Sequence, residues 1–590
     1  MTETRTRGVF SRLAGLFGGS DGPKAPEGPL RTSKSDPDER PWMAIYRELG
    51  ITVPEFDDRT MAEHVAEHAA IRGQSPALQT PGRILTYAEY DKLASKLANA
   101  LTRLGVVKGD VVGLHMPNIL QYPIALVALS RLGATGTGVS PLLTPPELIG
   151  QLQDCKARIL ISFAPLAALF KALPGDQLES LRAIITVGPT DLITGEGMPC
   201  EPHPTIPTHE FLSLIENEID VCDQVPTDFN DTFMIQYTGG TTGKPKGAEL
   251  TVRNLMHNVA QYCAAETLLI GEEVIASGFP YFHAGGLTQL VFAARTGGCT
   301  TVLPDPRDTN QFCALMTELP PTRLASVPAL WDMLLQTEAF QAIDFSNLQQ
   351  ATTGAAPMPA ATAEAITKVI GPQKLTDVFG MTETSPCYTF HPARRRKPGS
   401  VGFAVPGADV RIVDLEDGTK TLPPGEEGEI ICSGPQVMKG YRNLPEETAH
   451  ALRQIDGQTW MFSGDVGYMD EEGYIFLCDR AKDMLIVGGY KVFSVEVEDK
   501  LKALPFIAAS ALVGQPDPNR AGNDIVNLFV ELMPEAKDRN ADEVRQEILD
   551  FCTANLAPYK VPKKVHIIDA IPLTPIGKTD KKKLRAELEG

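Results

Sequence analysis

The sequence has no closely spaced cysteine pair, no long uncharged stretch that stays apolar, and no surplus of positive charge. Its ten cysteines lie far apart, without a C-x-x-C pair. That spacing excludes a zinc cluster and a disulfide framework, and suits a reducing compartment such as the cytoplasm. The longest uncharged runs, residues 111–130 and 274–294, carry Pro, Gly, Asn or Gln. They read as buried strands and helices, not as membrane spans. Lys and Arg number 54 against 74 Asp and Glu, for a net charge of −20. A phosphate backbone needs a basic face, so nucleic acid is excluded as the main partner.

What remains is ample. The chain has 590 residues, 43% hydrophobic and 22% charged, the balance of a globular protein with a large core. It accommodates about three to four units of ~150 residues, which excludes a single small binding module. Residues 1–40 are rich in Gly, Pro, Ser and charge, the composition of a disordered leader. Within them Val9, Phe10, Leu13, Leu16 and Phe17 share a helical face near Arg5, Arg7 and Arg12. The second reading of this leader is therefore a weak amphipathic contact with a membrane surface.

From about residue 42 helical and strand patterns alternate. Residues 77–85 read as a hairpin about Pro81-Gly82, and Thr86 with Glu89 forms a T-x-x-E capping box. The helix it opens carries Leu93, Leu97, Leu101 and Leu104 on one side and ends at Gly105. Strands at 111–116, 157–163 and 181–187, with a helix over 124–132, imply parallel sheets layered with helices. After about residue 480 a smaller α+β pattern begins. It has helices near 495–504 and 542–554, and strands at 508–513, 526–532 and 564–568.

The most informative stretch is Tyr237-Thr238-Gly239-Gly240-Thr241-Thr242-Gly243-Lys244-Pro245-Lys246-Gly247, which follows an apolar strand at 233–236. Its glycines admit close backbone N–H groups, its threonines add hydroxyl donors, and its lysines add charge: a polyphosphate cradle. It is not a P-loop. G-x-x-x-x-G-K-[ST] fails because Thr238 stands at the first Gly position and Pro245 follows Lys244.

This loop resembles the signature of the adenylate-forming superfamily of acyl-CoA synthetases, 4-coumarate-CoA ligases, luciferases and adenylation domains. The resemblance runs from about residue 60 to the C-terminus. It implies an α/β fold, with a large N-terminal domain of layered helices and sheets and a smaller mobile α+β C-terminal domain. Domain limits of 41–481 and 482–590 follow, with the hinge at Lys482.

Phe379-Gly380-Met381-Thr382-Glu383 resembles the family's aromatic-Gly-x-Thr-Glu motif. The match implies that Phe379 stacks on adenine, Thr382 touches the α-phosphate and Glu383 holds Mg²⁺, a hard cation that prefers oxygen. Asp377 stands where the family has Gln or Asn facing the adenine amino group, and Gly354-Ala355-Ala356 resembles the segment on the base's other side. Asp465 of Ser463-Gly464-Asp465 matches the carboxylate that takes the ribose hydroxyls, and Arg480 the ribose/phosphate arginine. Gly489 of Gly488-Gly489-Tyr490 matches the glycine bordering the pantetheine channel. Lys578, in Pro572-x-x-x-x-Gly577-Lys578, matches the lysine that steadies charge during adenylation.

Pro280-Tyr281-Phe282-His283 resembles the P-x-x-H segment of the acid pocket, where His283 closes the pocket during adenylation. No acid lies between Glu273 and Asp305, which disfavours an amino acid substrate. The small residues Ala284, Gly285 and Gly286 are expected to leave room for a long or bulky acyl group. The sequence thus points to an ATP-dependent, AMP-forming acid–CoA ligase, with ATP, Mg²⁺ and CoA, acting on a medium- or long-chain fatty acid. The alternatives are a ligase for an aromatic or polycyclic acid, an acyl-AMP ligase loading a carrier protein in trans, and a non-catalytic nucleotide-binding regulator.

Overall fold

The computed structural model describes residues 40–589, apart from 239–244, 357, 393–394, 489, 521 and 574–578. Two large sheets dominate residues below 482. The first runs in the order Gly440–Tyr441, Lys246–Thr251, Thr232–Thr238, Thr135–Val139, Val111–His115, Ile159–Phe163, Ala183–Val187, Thr208–Glu210. From Thr232–Thr238 onward neighbours are parallel, and the first two strands attach antiparallel. The second runs Leu375–Asp377, Gln350–Thr353, Arg323–Ser326, Val274–Ser277, Cys299–Thr301, Pro76–Thr80, Arg83–Thr86, parallel except for the closing hairpin.

Local signals place these elements. Thr86 and Glu89 form a reciprocal capping box at the start of Tyr87–Arg103, whose Leu97 and Leu101 are fully buried. Gly82 turns the preceding hairpin with φ 78°, and Gly105 adopts φ 83° just past the helix. Helix Gln121–Leu132 is buried on every side, as an apolar run without a polar face requires. Its one charge, Arg131, meets Asp91 at 2.5 Å.

A third, antiparallel sheet joins Asp409–Val413, Gly428–Ser433, Gln458–Met469 and Leu452–Ile455, with Ile475–Arg480 paired to Gln458–Met469. Beyond residue 482 a hairpin, Leu485–Val487 with Tyr490–Val492, precedes a sheet of Ile507–Pro516, Asp524–Leu532 and Lys564–Ile568. Helices Ser494–Leu501 and Ala541–Asn555 contribute Val497, Leu501, Val544 and Ile548 to its core. The expected elements of this unit are all present, with ends shifted by up to three residues. None of the described helices is long and apolar enough to cross a membrane.

Candidate active site

In open parallel sheets, ligands meet the carboxyl ends of the strands. The carboxyl ends of both large sheets carry several of the expected site residues. Thr238 ends its strand and pairs in register with Lys246, so the two flank the glycine-rich turn. Gly239, Gly240, Thr241, Thr242, Gly243 and Lys244, the turn itself, lie outside the described residues, as do Gly489 and Lys578. On the other sheet Asp377 ends Leu375–Asp377, and Thr353 ends the neighbouring strand before Gly354.

The base side is held by short contacts. Val378 N donates to Thr353 O at 3.0 Å, bringing Gly354 against residues 377–379. Gly354 is buried, whereas Ala355 and Ala356 are exposed, with Ala355 at φ 68°. Phe379 is half-buried, and its ring stands edge-on to Tyr388 at 5.3 Å between centroids. Asp377 is not isolated: Arg396 meets its carboxylate at 3.3 Å, and His391 Nδ1 lies 3.2 Å from its backbone oxygen. Residue spacing gave no sign of Arg396, because the pair forms across a loop.

Tyr388 connects the base side to the ribose side. Burial pushes its phenol up, and Cys432 and the Asp465 carboxylate act in the same direction. Asp465 is buried, with Arg480 Nε at 2.9 Å. The strand pairing sets this contact, because Asp465 and Arg480 are direct partners in an antiparallel ladder. Ser463 Oγ donates to Ile430 O at 2.6 Å and accepts from Asp465 N at 3.0 Å, fixing the turn. Two residues on, Lys482 is half-buried. Burial, then Arg480 and Arg585, lower its pKa against the opposing pull of Asp483. Arg585 holds this point from the C-terminal helix, donating to Lys482 O at 3.1 Å and meeting Asp483 at 2.5 Å.

The phosphate side contains a contact that motif reading missed. Thr382–Thr384 form a single 3₁₀ turn in which Glu383 is buried and Thr382 half-buried. Tyr441 Oη donates to Glu383 Oε1 at 2.7 Å. Lys246 Nζ lies 5.2 Å from the centroid of the same tyrosine ring and pairs with Glu447. Lys246 and Glu383, about 140 residues apart by their numbers, thus share one neighbour. Among the described residues no group of three His, Cys, Asp or Glu side chains converges. A single carboxylate suits Mg²⁺, which is usually held by one or two carboxylates with substrate phosphates and water supplying the rest.

The acid side differs from expectation. His283 caps helix Ala284–Thr296, its Nδ1 accepting from Gly285 N at 3.2 Å, which fixes the ring at the helix start. Of the small residues around it, Gly286 does not leave open volume. A Cβ there would lie 2.1 Å from Pro280 O, whereas one on Gly285 would meet Phe279 Cδ1 at an ordinary 3.4 Å. Gly138, unremarked in the sequence, is small for a similar reason: its Cβ would fall 2.6 Å from Phe282 O and 3.0 Å from Gln236 Oε1. Backbone fills this space, so glycine here reports close packing and gives no measure of acyl size.

The sequence and the architecture match known proteins. Residues 65–442 match the family model described as AMP-binding enzyme, and 496–578 that of its C-terminal domain. A long-chain-fatty-acid–CoA ligase of Bacillus subtilis is 33% identical over 570 residues, covering 93% of this chain and 98% of its own. One from Escherichia coli is 32% identical over 552 residues, covering 90% and 95%. Among solved structures, the anthranilate CoA ligase AuaEII in complex with anthranoyl-AMP superposes with a TM-score of 0.78 at 25% identity, covering 91% of this chain and 98% of its own. ATP-bound MatB from Rhodopseudomonas palustris gives 0.77 at 26%, covering 90% and 99%. With well over half of its length matched by the family model, the chain belongs to the AMP-binding enzymes, the adenylate-forming superfamily.

Proposed function

We propose that the chain is an ATP-dependent, AMP-forming acid–CoA ligase that activates a medium- or long-chain fatty acid. The observation that carries this reading is the shared neighbour of Lys246 and Glu383, which brings a cation and a carboxylate from two motifs to one tyrosine. Near-full-length likeness to long-chain-fatty-acid–CoA ligases supports the substrate class.

In the first half-reaction a substrate carboxylate oxygen attacks the α-phosphorus of ATP. The bond to the β-phosphate oxygen breaks, giving acyl-AMP and pyrophosphate. Phe379 and the 354–356 segment would bracket the base, with Asp377, held in place by Arg396, accepting from its amino group. Asp465, fixed by Arg480 and Ser463, would accept both ribose hydroxyls. Glu383 would hold Mg²⁺, which offsets phosphate charge when bound. Thr238, Thr382, Lys246 and Lys578 would place hydroxyls and cations around the phosphates. In the second half-reaction the CoA sulfur attacks the acyl carbon, its proton passes to solvent, and AMP leaves. We assign residues 41–481 and 482–590 to two domains that turn about Lys482 between the steps, with Gly489 lining the thiol channel and His283 shielding the acid pocket first.

A second reading is an aromatic acid as substrate, favoured by the likeness to the anthranilate CoA ligase. Pyrophosphate release from the purified protein, run over fatty and aromatic acids, separates the two. Fatty acids should give the highest kcat/KM. Release with no acid of either class would overturn the ligase reading, and equal rates with a holo-carrier in place of CoA would reassign the acceptor. The ten cysteines, all unpaired, support a cytoplasmic setting.

A further inference from the structure

Residues 438–448 form a strap that joins the two phosphate-facing segments. Met438 N donates to Glu383 O at 2.8 Å, so the strap begins on the 3₁₀ turn. Lys439 N donates to Glu249 O at 3.0 Å and Arg442 N to Gly247 O at 2.8 Å, making it the edge strand beside Lys246–Thr251. Tyr441 N donates to Thr448 Oγ1 at 2.8 Å, which ties the tyrosine to the following helix, Pro445–Ala451. Glu447 on that helix receives Lys246. Backbone bonds to both segments thus fix Tyr441 in place, and its two ends do different things. The hydroxyl donates to Glu383 Oε1 at 2.7 Å and the ring face lies against Lys246 Nζ.

From this geometry we infer that Tyr441 is a positioning residue for metal-bound nucleotide. Its hydroxyl orients the Glu383 carboxylate so that the other oxygen faces the phosphates, while Glu447 holds Lys246 over the ring until a triphosphate takes the lysine. A phenol donating to one carboxylate oxygen limits rotation of the carboxylate, and a hydrogen bond to a charged acceptor is among the stronger ones. The ion pair with Glu447 neutralises Lys246 before ligand arrives, so an incoming anion must displace a carboxylate to gain the cation. The inference rests on the adenylating reading of the site, because it needs Glu383 to meet a nucleotide-bound metal.

Tyr441→Phe removes the hydroxyl and keeps the ring under Lys246. Titration calorimetry of the full-length protein with a non-hydrolysable ATP analogue, with and without Mg²⁺, reads the effect directly. The variant should bind the magnesium complex about tenfold more weakly, the loss expected for one charge-assisted hydrogen bond. It should bind the metal-free analogue like the parent. Glu447→Gln should do the opposite: freed of its partner, Lys246 should strengthen metal-free binding several-fold. It also stands in for Tyr441→Phe should that variant fail to fold. Equal losses with and without Mg²⁺ in Tyr441→Phe, or unchanged metal-free binding in Glu447→Gln, would overturn the inference. A parent protein that bound neither form would remove the adenylating reading as well, whereas a parent that binds normally beside an indifferent Tyr441→Phe would remove the inference alone.

Discussion

The side of this site proposed to take the nucleotide and the side proposed to take the acid are built by contrasting means. On the nucleotide side, charges are placed by side-chain contacts: Asp465 with Arg480, Asp377 with Arg396, Glu383 with Tyr441, Lys246 with Glu447. On the acid side the described contacts are steric. Gly138 and Gly286 let the backbone of residues 279–282 pass close by, and His283 is set by a helix cap. One side needs fixed charge for a highly charged ligand, and such residue types are hard to replace. The other needs a shape, which many sequences can supply. The contrast teaches that motif strength tracks electrostatic demand.

The contrast breaks first at Glu383. Glu383→Gln should slow acid-dependent pyrophosphate release by about a hundredfold or more, with the acid KM nearly unchanged. A loss confined to the acid KM would dissolve the division between the sides. Lys578→Ala should come next, slowing adenylation by about a hundredfold while thioester formation from supplied acyl-AMP stays within about twofold. Equal loss in both steps would remove its assignment. Asp465→Asn keeps the volume and removes the charge that Arg480 meets. It should raise the ATP KM by about tenfold and leave the acid KM alone, as steady-state kinetics in both substrates would record. The smallest effect on chemistry belongs to Gly286→Ala. The added methyl group overlaps Pro280 O, so the protein should lose about 1–3 kcal/mol of stability in thermal or urea unfolding. The acid KM should rise and the ATP KM stay fixed; a change in the ATP KM would show that the two sides are not separable.

Much of this was legible in the sequence where the signal is local. The capping box at Thr86 and Glu89, the hairpin at Gly82 and the strand leading to Thr238 depend on residues within a few positions of one another. The nucleotide motifs were legible for the chemical reason given above. Tyr441, Glu447 and Arg396 were not. Tyr441 and Glu447 act across a distance set by sheet order, as when Gly440–Tyr441 joins the edge beside Lys246–Thr251, and Arg396 meets Asp377 across a loop; no spacing rule encodes either. Gly286, near His283, was misread because a glycine looks the same in sequence whether it yields space or admits a neighbouring chain.

The unit after Lys482 has buried clusters of its own, drawn from residues 485–584, and the clusters of the larger unit contain none of their members. Reorienting one against the other would therefore split none of these clusters. Such a change would have to break polar contacts across the joint, the bond from Ser494 N to Asp479 among them. Were the units to adopt more than one pose, a ligand that binds one of them better would set which is populated.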